Sequence, residues 1–210
     1  MSSIPGDPDE ELVAAAQRAG EGDSRAFEKL VRRHQEQVVT NCRYLTRASG
    51  DAEDLAQEVF VKAFFAIPRF ERRSSFKSWL QRIKVNHCLN FIKKSGGRTF
   101  VDVADPVVAS NPEMSVEPRA ERLTESVEHR ERIGHVLDAM NDTLRIPLIM
   151  RDMDELPYQE IADALGIGLS ATKMRIKRAR EEFRRLFDDM GESVAAAGGA
   201  EDDAKEAGAP

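Results

Sequence analysis

Apolar residues return every three or four positions along most of the chain, a period that predicts an all-α protein. After Asp23 and Ser24, either of which can cap a helix, Phe27, Leu30, Val31, His34, Val38, Cys42 and Leu45 fall on one face. His34 there reads as a core-edge histidine. In Asp51–Ile67 the inward stripe is Ala52, Leu55, Ala56, Val59, Phe60, Ala63 and Phe64. The outward face carries Asp51, Glu53, Asp54, Gln57 and Glu58, with acids in the first turns where the helix dipole favours them. Pro68 stops this helix. The next, Phe76–Lys94, sets Phe76, Trp79, Leu80, Ile83 and Phe91 among Lys77, Arg82, Lys84, Lys93 and Lys94. Asn86 and Asn90 sit four apart on it, and Gly96–Gly97 ends it. A shorter amphipathic segment, Glu10–Gly20, precedes all of these and ends at Gly20 and Gly22.

The pattern fails between Thr99 and Pro118, where Pro106, Pro112 and Pro118 stand among acids. That stretch reads as a flexible linker. Helices resume near Glu121, with Ile133, Val136, Leu137 and Met140 on one face. An apolar cluster follows at Leu144, Ile146, Leu148, Ile149 and Met150, where Pro147 should kink or shorten the helix. The organisation expected is two small helical domains: an acidic arm over 1–22, a helical domain over 23–96, a linker over 97–120, a second helical domain over 121–187, and an acidic disordered tail over 188–210. There are no internal repeats.

Within the second domain, Leu156–Leu186 reads as a helix-turn-helix. Ile161, Ala162 and Leu165 form the inner face of a helix opening at Pro157–Tyr158, and Pro suits an opening turn. Gly166 and Gly168 bracket Ile167 and permit a sharp turn. The second helix, from about Ser170, carries Lys173, Arg175, Lys177, Arg178, Arg180, Arg184 and Arg185 against Glu181 and Glu182. A helix that basic, presented after a tight turn, suits the major groove and its phosphates. Its other reading is a solvated helix of a bundle.

Charge changes the picture only when resolved along the chain. The net charge of −6 argues against nucleic acid, but acids crowd the two ends and leave the interior basic. No apolar run is long enough to span a bilayer, and the acidic N-terminus lacks a signal-peptide core, so a cytoplasmic protein without membrane insertion is expected. Cys42 and Cys88 lack metal-ligand spacing and read as reduced structural thiols. Phosphate-loop, dinucleotide, zinc-hydrolase and nucleophile-elbow motifs are all missing. The expectation is a protein that is not an enzyme and takes no metal or cofactor.

Two blocks carry a resemblance. DAEDLAQEVFVKAFFAIPRF with SSFKSWLQRIKVNHCLNFIKK resembles region two of bacterial RNA polymerase sigma factors, and LPYQEIADALGIGLSATKMRIKRARE resembles their region four. Their order and the short linker are similar to the extracytoplasmic-function (ECF) subfamily. The resemblance spans about Asp23–Leu186.

It implies that the Asp51–Phe65 helix docks on the clamp helices of the largest subunit of core RNA polymerase, with Asp54, Gln57 and Glu58 matching the exposed polar positions. It implies that region two reads and opens the minus-ten promoter element, a base leaving the stack for a pocket bounded by the Phe70–Ser75 loop. Asn86 matches a base-contacting position. Phe70, Arg72, Ser74, Trp79 and Asn90 belong to the same motif, while Lys77, Arg82, Lys84 and Lys93 would meet phosphates. Trp79 can equally be the core aromatic of this domain. The second helix of region four would enter the minus-thirty-five element with Ser170, Thr172, Lys173, Arg175, Lys177 and Arg178. Here the chain departs from the family turn: Thr172 replaces a usually apolar inward residue and Met174 a usually small one. An anti-sigma factor is a further partner implied. Two rivals remain at this point, a stand-alone helix-turn-helix regulator and an RNA-binding anti-terminator. The regulator leaves the Asp51–Lys94 block without purpose.

Overall fold

Eight α-helices and no strand make up the described residues of the computed structural model, which are 7–19, 23–95 and 127–206. Gly20, Gly22, Gly96–Gly97 and the linker over 97–120 lie outside them. The first unit contains α1 (Glu10–Ala19), α2 (Arg25–Thr46), α3 (Ala52–Ala66) and α4 (Phe76–Lys94). The second contains α5 (Val127–Ala139), α6 (Asp142–Leu148), α7 (Tyr158–Leu165) and α8 (Leu169–Glu206).

In the first unit α2 is the central helix, packed against α1, α3 and α4. Leu30, Val38, Cys42 and Leu45 are buried on it, facing Leu55, Val59, Ala63, Phe76, Leu80 and Cys88. The two thiols, 46 residues apart in sequence, meet at 3.6 Å and are free. Asp23 accepts from the Arg25 backbone N–H at 3.0 Å at the start of α2, and Ser75 caps α4 by accepting from the Ser78 N–H at 3.1 Å.

The described part of the acidic N-terminal arm is an integral helix of this unit. Val13 and Ala16 of α1 are buried. Asp9 is also buried, 2.7 Å from His34 Nε2 and within 2.5 Å of Arg33 Nη1. Burial raises the Asp9 pKa, but hydrogen bonds and charge from His34 and Arg33 outweigh it and hold the carboxyl below its usual range. An acid answered by two partners belongs inside, where composition alone suggests solvent.

The second unit turns on Pro147. It has no N–H to continue the α-helical ladder, so α6 is short. The chain passes into a wide π turn over Ile149–Met153, in which the Asp154 N–H reaches back to the Ile149 carbonyl at 3.0 Å. Glu155 follows in the left-handed region, at φ 59°. At the end of α7, Gly166 takes φ 67° and lets Ile167 N–H bond the Ala162 carbonyl at 3.1 Å. The expected helix-turn-helix is present, with α8 opening one residue earlier than Ser170.

Two observations add to the expected organisation. The two helical units pack against each other and share one apolar cluster. Arg145 of α6 is buried and donates to the Tyr44 and Leu45 carbonyls, serving the end of α2 where carbonyls lack helical partners. Arg47 likewise reaches the Met140 carbonyl. α8 also continues to Glu206, into the segment expected as an acidic tail. Ala195–Ala197 and Ala200 give that stretch high helix propensity despite its acids and glycines.

Candidate nucleic-acid interface

The outer face of α3 is exposed at Asp54, Gln57 and Glu58, as the sequence suggested. The same face contains two apolar residues that periodicity reading passed over, Val61 at 55% and Phe65 at 65% exposure. They follow Gln57 and Glu58 at helical spacing, so the polar and apolar halves form one strip. Large side chains left this open beside exposed polar ones, on a helix whose other face packs on the core, make the strip a candidate docking surface.

Between α3 and α4 runs an open groove of about 790 Å³. Asp54 and Glu58 line one wall, and Asn86, Asn90 and Lys93 line the other. His87 Nε2 lies 3.3 Å from Glu58 across it. The two amides are exposed and one helical turn apart, free to present donors and acceptors to a base edge.

The remaining minus-ten candidates do not line this groove and have partners within the protein. Phe70 is buried and stacks on Trp79 at 4.7 Å between centroids, with Phe76 5.7 Å from Trp79. Trp79 is partly exposed at the edge of this aromatic cluster, so both of its proposed roles fit its place. Arg72, at φ 57°, donates to Gln17 Oε1 at 3.0 and 2.6 Å. Ser74 accepts from Arg82 at 3.1 Å.

Acids of the second unit stand opposite the basic residues of this face. Arg82 makes a forked pair with Glu160 of α7 at 2.5 and 2.6 Å, and Glu160 raises the Arg82 pKa further. Lys77 Nζ meets Glu155 at 2.8 Å. Lys84 is fully buried in an ion pair with Asp154, which also accepts from Asn41 Nδ2 at 2.5 Å. Burial pushes the Asp154 carboxyl up, against the lowering effect of Lys84 and Asn41. This corrects the expectation that Lys84 meets phosphate: in this arrangement it is sealed inside. The signal was available, since Leu80, Lys84 and Cys88 form an i, i+4, i+8 stripe and all three are buried. What the sequence could not place was Asp154, delivered by the π turn from 70 residues away.

On α8, Ser170, Lys173, Met174 and Lys177 share an exposed stripe, with Leu169 at its start. Thr172 and Arg175 do not join it. Both are buried on the inner stripe with Ile176 and Ala179, and the Thr172 hydroxyl donates to the Gly168 carbonyl at 3.1 Å. Arg178 is half-buried, and Arg180 pairs with Asp152 at 2.5 Å. The outer stripe thus offers two ammonium groups for phosphates and one Met side chain suited to a thymine methyl.

Residues 30–98 match the family described as Sigma-70 region 2, and residues 130–183 match Sigma-70, region 4; together they cover more than half of the chain. The chain is 34% identical over 170 residues to the ECF RNA polymerase sigma-E factor of Escherichia coli strain K12, covering 79% of this chain and 88% of that one. It is 29% identical over 188 residues to the ECF RNA polymerase sigma factor SigE of Mycolicibacterium smegmatis, covering 85% and 69%. Among solved structures, CnrH in complex with the cytosolic domain of CnrY has the same fold, with TM-score 0.55 and 24% identity over 86% of this chain and 97% of that one. The sigma factor RpoE of Bartonella quintana, in complex with the anti-sigma factor NepR, does as well, with TM-score 0.54 and 22% identity over 77% and 96%. With both regions matched in order and a relative above 30% identity over most of the chain, this protein belongs to the extracytoplasmic-function family of RNA polymerase sigma factors.

Proposed function

We propose that the chain is a dissociable initiation subunit that binds core RNA polymerase, recognises minus-thirty-five and minus-ten promoter elements and promotes DNA opening. The observation that carries this reading is one chain holding both a solvent-facing α3 strip and a helix-turn-helix; a repressor needs only the second. Asp54, Gln57 and Glu58 dock on the clamp helices, and Val61 and Phe65 add apolar contact. Ser170, Lys173, Met174 and Lys177 of α8 enter the major groove. Asn86 and Asn90 read an unpaired base, with Lys93 on the backbone beside them.

The contacts between the units belong to a resting form. Promoter engagement parts Lys77 and Arg82 from Glu155 and Glu160, and phosphate oxygens take the place of the carboxylates. Relatives solved with CnrY and with NepR support a protein inhibitor as a further partner of this chain.

Run-off transcription with purified core polymerase tests the reading. The wild-type chain should confer initiation at discrete start sites. Gln57→Ala combined with Glu58→Lys should fold normally and fail to co-purify with core enzyme. Promoter binding with no gain of initiation would overturn the proposal in favour of a stand-alone regulator.

A further inference from the structure

The N-terminal segment, α1 and the residues just before it, grips both ends of the Phe70–Ser75 loop. At the entrance, Gln17 of α1 donates from Nε2 to the Ile67 carbonyl at 2.9 Å and to the Phe70 carbonyl at 2.8 Å. Its Oε1 accepts from Arg72 Nε at 3.0 Å and from Arg72 Nη2 at 2.6 Å. Two donors and two acceptor positions are all that a glutamine amide has, and each is used on this loop or on the turn that leads into it. At the exit, Asp7 Oδ2 accepts from the Phe76 backbone N–H at 3.0 Å.

The loop needs such a grip. Arg72 sits at φ 57°, a left-handed conformation costly for a residue with a Cβ, and it persists only where neighbours over-determine it. The Phe70 ring, one residue past the 3₁₀ turn at Ile67–Arg69, carries the stack on Trp79. A shift of the Phe70 carbonyl therefore moves the aromatic wall and the Arg72 side chain together. The anchor itself is rigid, since Asp9 ties the start of α1 to His34 and Arg33 of α2.

We infer that Gln17, with Asp7 at the far end, is a positioning residue that sets the shape of the minus-ten loop and through it the promoter base preference. This rests on the reading, implied by the family resemblance, of the Phe70–Ser75 loop as one boundary of the pocket whose base Asn86 and Asn90 read. Gln17 touches no DNA in this scheme. It acts by fixing the backbone from which Phe70 and Arg72 project.

The test uses the full chain with core polymerase and run-off transcription on templates varied at each minus-ten position. Gln17→Ala should lower initiation on the preferred template about tenfold, as for loss of a set of well-formed contacts, and should flatten preference at the positions nearest the loop. Core binding and affinity for minus-thirty-five duplex should stay at wild-type levels. Asp7→Ala, at the other end of the loop, should flatten the same positions, and Asp7→Asn, which keeps the acceptor, should restore them. Equal loss on all templates by both alanine variants, or unchanged preference in both, would overturn the positioning role while leaving the sigma-factor reading intact. Failure of the wild-type chain to initiate at all would overturn that reading and this inference with it.

Discussion

The two basic helix faces proposed to meet DNA are built from the same material and present it differently. On α8, Lys173 and Lys177 are exposed, and no carboxylate of the described residues pairs with either. On α4, Lys77, Arg82 and Lys84 each meet a carboxylate from the far unit. Sequence spacing alone does not separate these cases, because a basic residue at helical period is equally compatible with both. The difference lies in where the π turn and the left-handed Glu155 deliver three acids. Availability of a basic residue for phosphate depends on the element docked against it as much as on its own helix.

The largest expected effect comes from removing the central acid. Asp154→Ala leaves a buried ammonium with no counter-charge, a loss of about 3–5 kcal/mol if the seam stays shut. The expected outcome is that the units separate so that Lys84 reaches water. Small-angle scattering should show a larger radius of gyration, and Lys84 should become reactive to an amine label. A chain that stays closed with Lys84 protected would break the distinction between the two surfaces.

A smaller effect tests the α3 strip, which both surfaces leave free. Phe65→Ser should weaken core polymerase binding by about 2 kcal/mol, the order expected of an aromatic anchor, with the thermal midpoint unchanged. A folded variant that binds core enzyme like wild type would remove Phe65 from the interface.

The α8 surface can then be divided. Lys177→Ala should reduce the slope of log affinity against log salt by about one on a minus-thirty-five duplex, as expected when one phosphate contact is lost. Arg175→Ala should leave that slope alone and lower the melting temperature instead, because its guanidinium packs inward. A changed slope for Arg175 with an unchanged one for Lys177 would invert the assignment.

The smallest effect is a pH dependence at the base of the minus-ten loop. Asp9 has a folded pKa below its ordinary value, so its contribution to stability is present above the ordinary carboxylate range and fades as pH falls through the lower folded value. Trp79, the single tryptophan, stacks on the Phe70 that α1 holds, so its fluorescence should report that loss. Asp9→Asn should remove this acid transition; its persistence would place the titrating group elsewhere.

Much of this architecture was legible beforehand because period and caps are local. The pattern predicts Phe76–Lys94 with the bounds that α4 has, and Asp51–Ile67 differs from α3 by one residue at each end. Gly166 marked the turn between α7 and α8 because only a residue without a Cβ takes its φ cheaply. Polar stripes with inward members were less legible. Thr172, Arg175 and Lys84 follow their buried neighbours at helical spacing, a positional cue that their polar type obscures. The long-range pairings were not legible at all. Nothing local tells Lys84 of Asp154, or tells the Phe70 carbonyl of Gln17 fifty-three residues earlier. Val61 and Phe65 escaped for the opposite reason, since an apolar residue off the stripe reads as incidental until its exposure is known.

The seam between α4 and α7 has a consequence for how the protein survives its own opening. Its central contacts are ammonium, guanidinium and carboxylate groups, all of which water accepts readily once they part. Opening along that line bares hydratable groups beside the apolar cluster the units share, so the joint exposes less sticky surface than a wholly oily one would. Ionic strength should loosen the rim pairs of Lys77 and Arg82 first, since they are the partly exposed ones, which makes the hinge tunable by the solution around it.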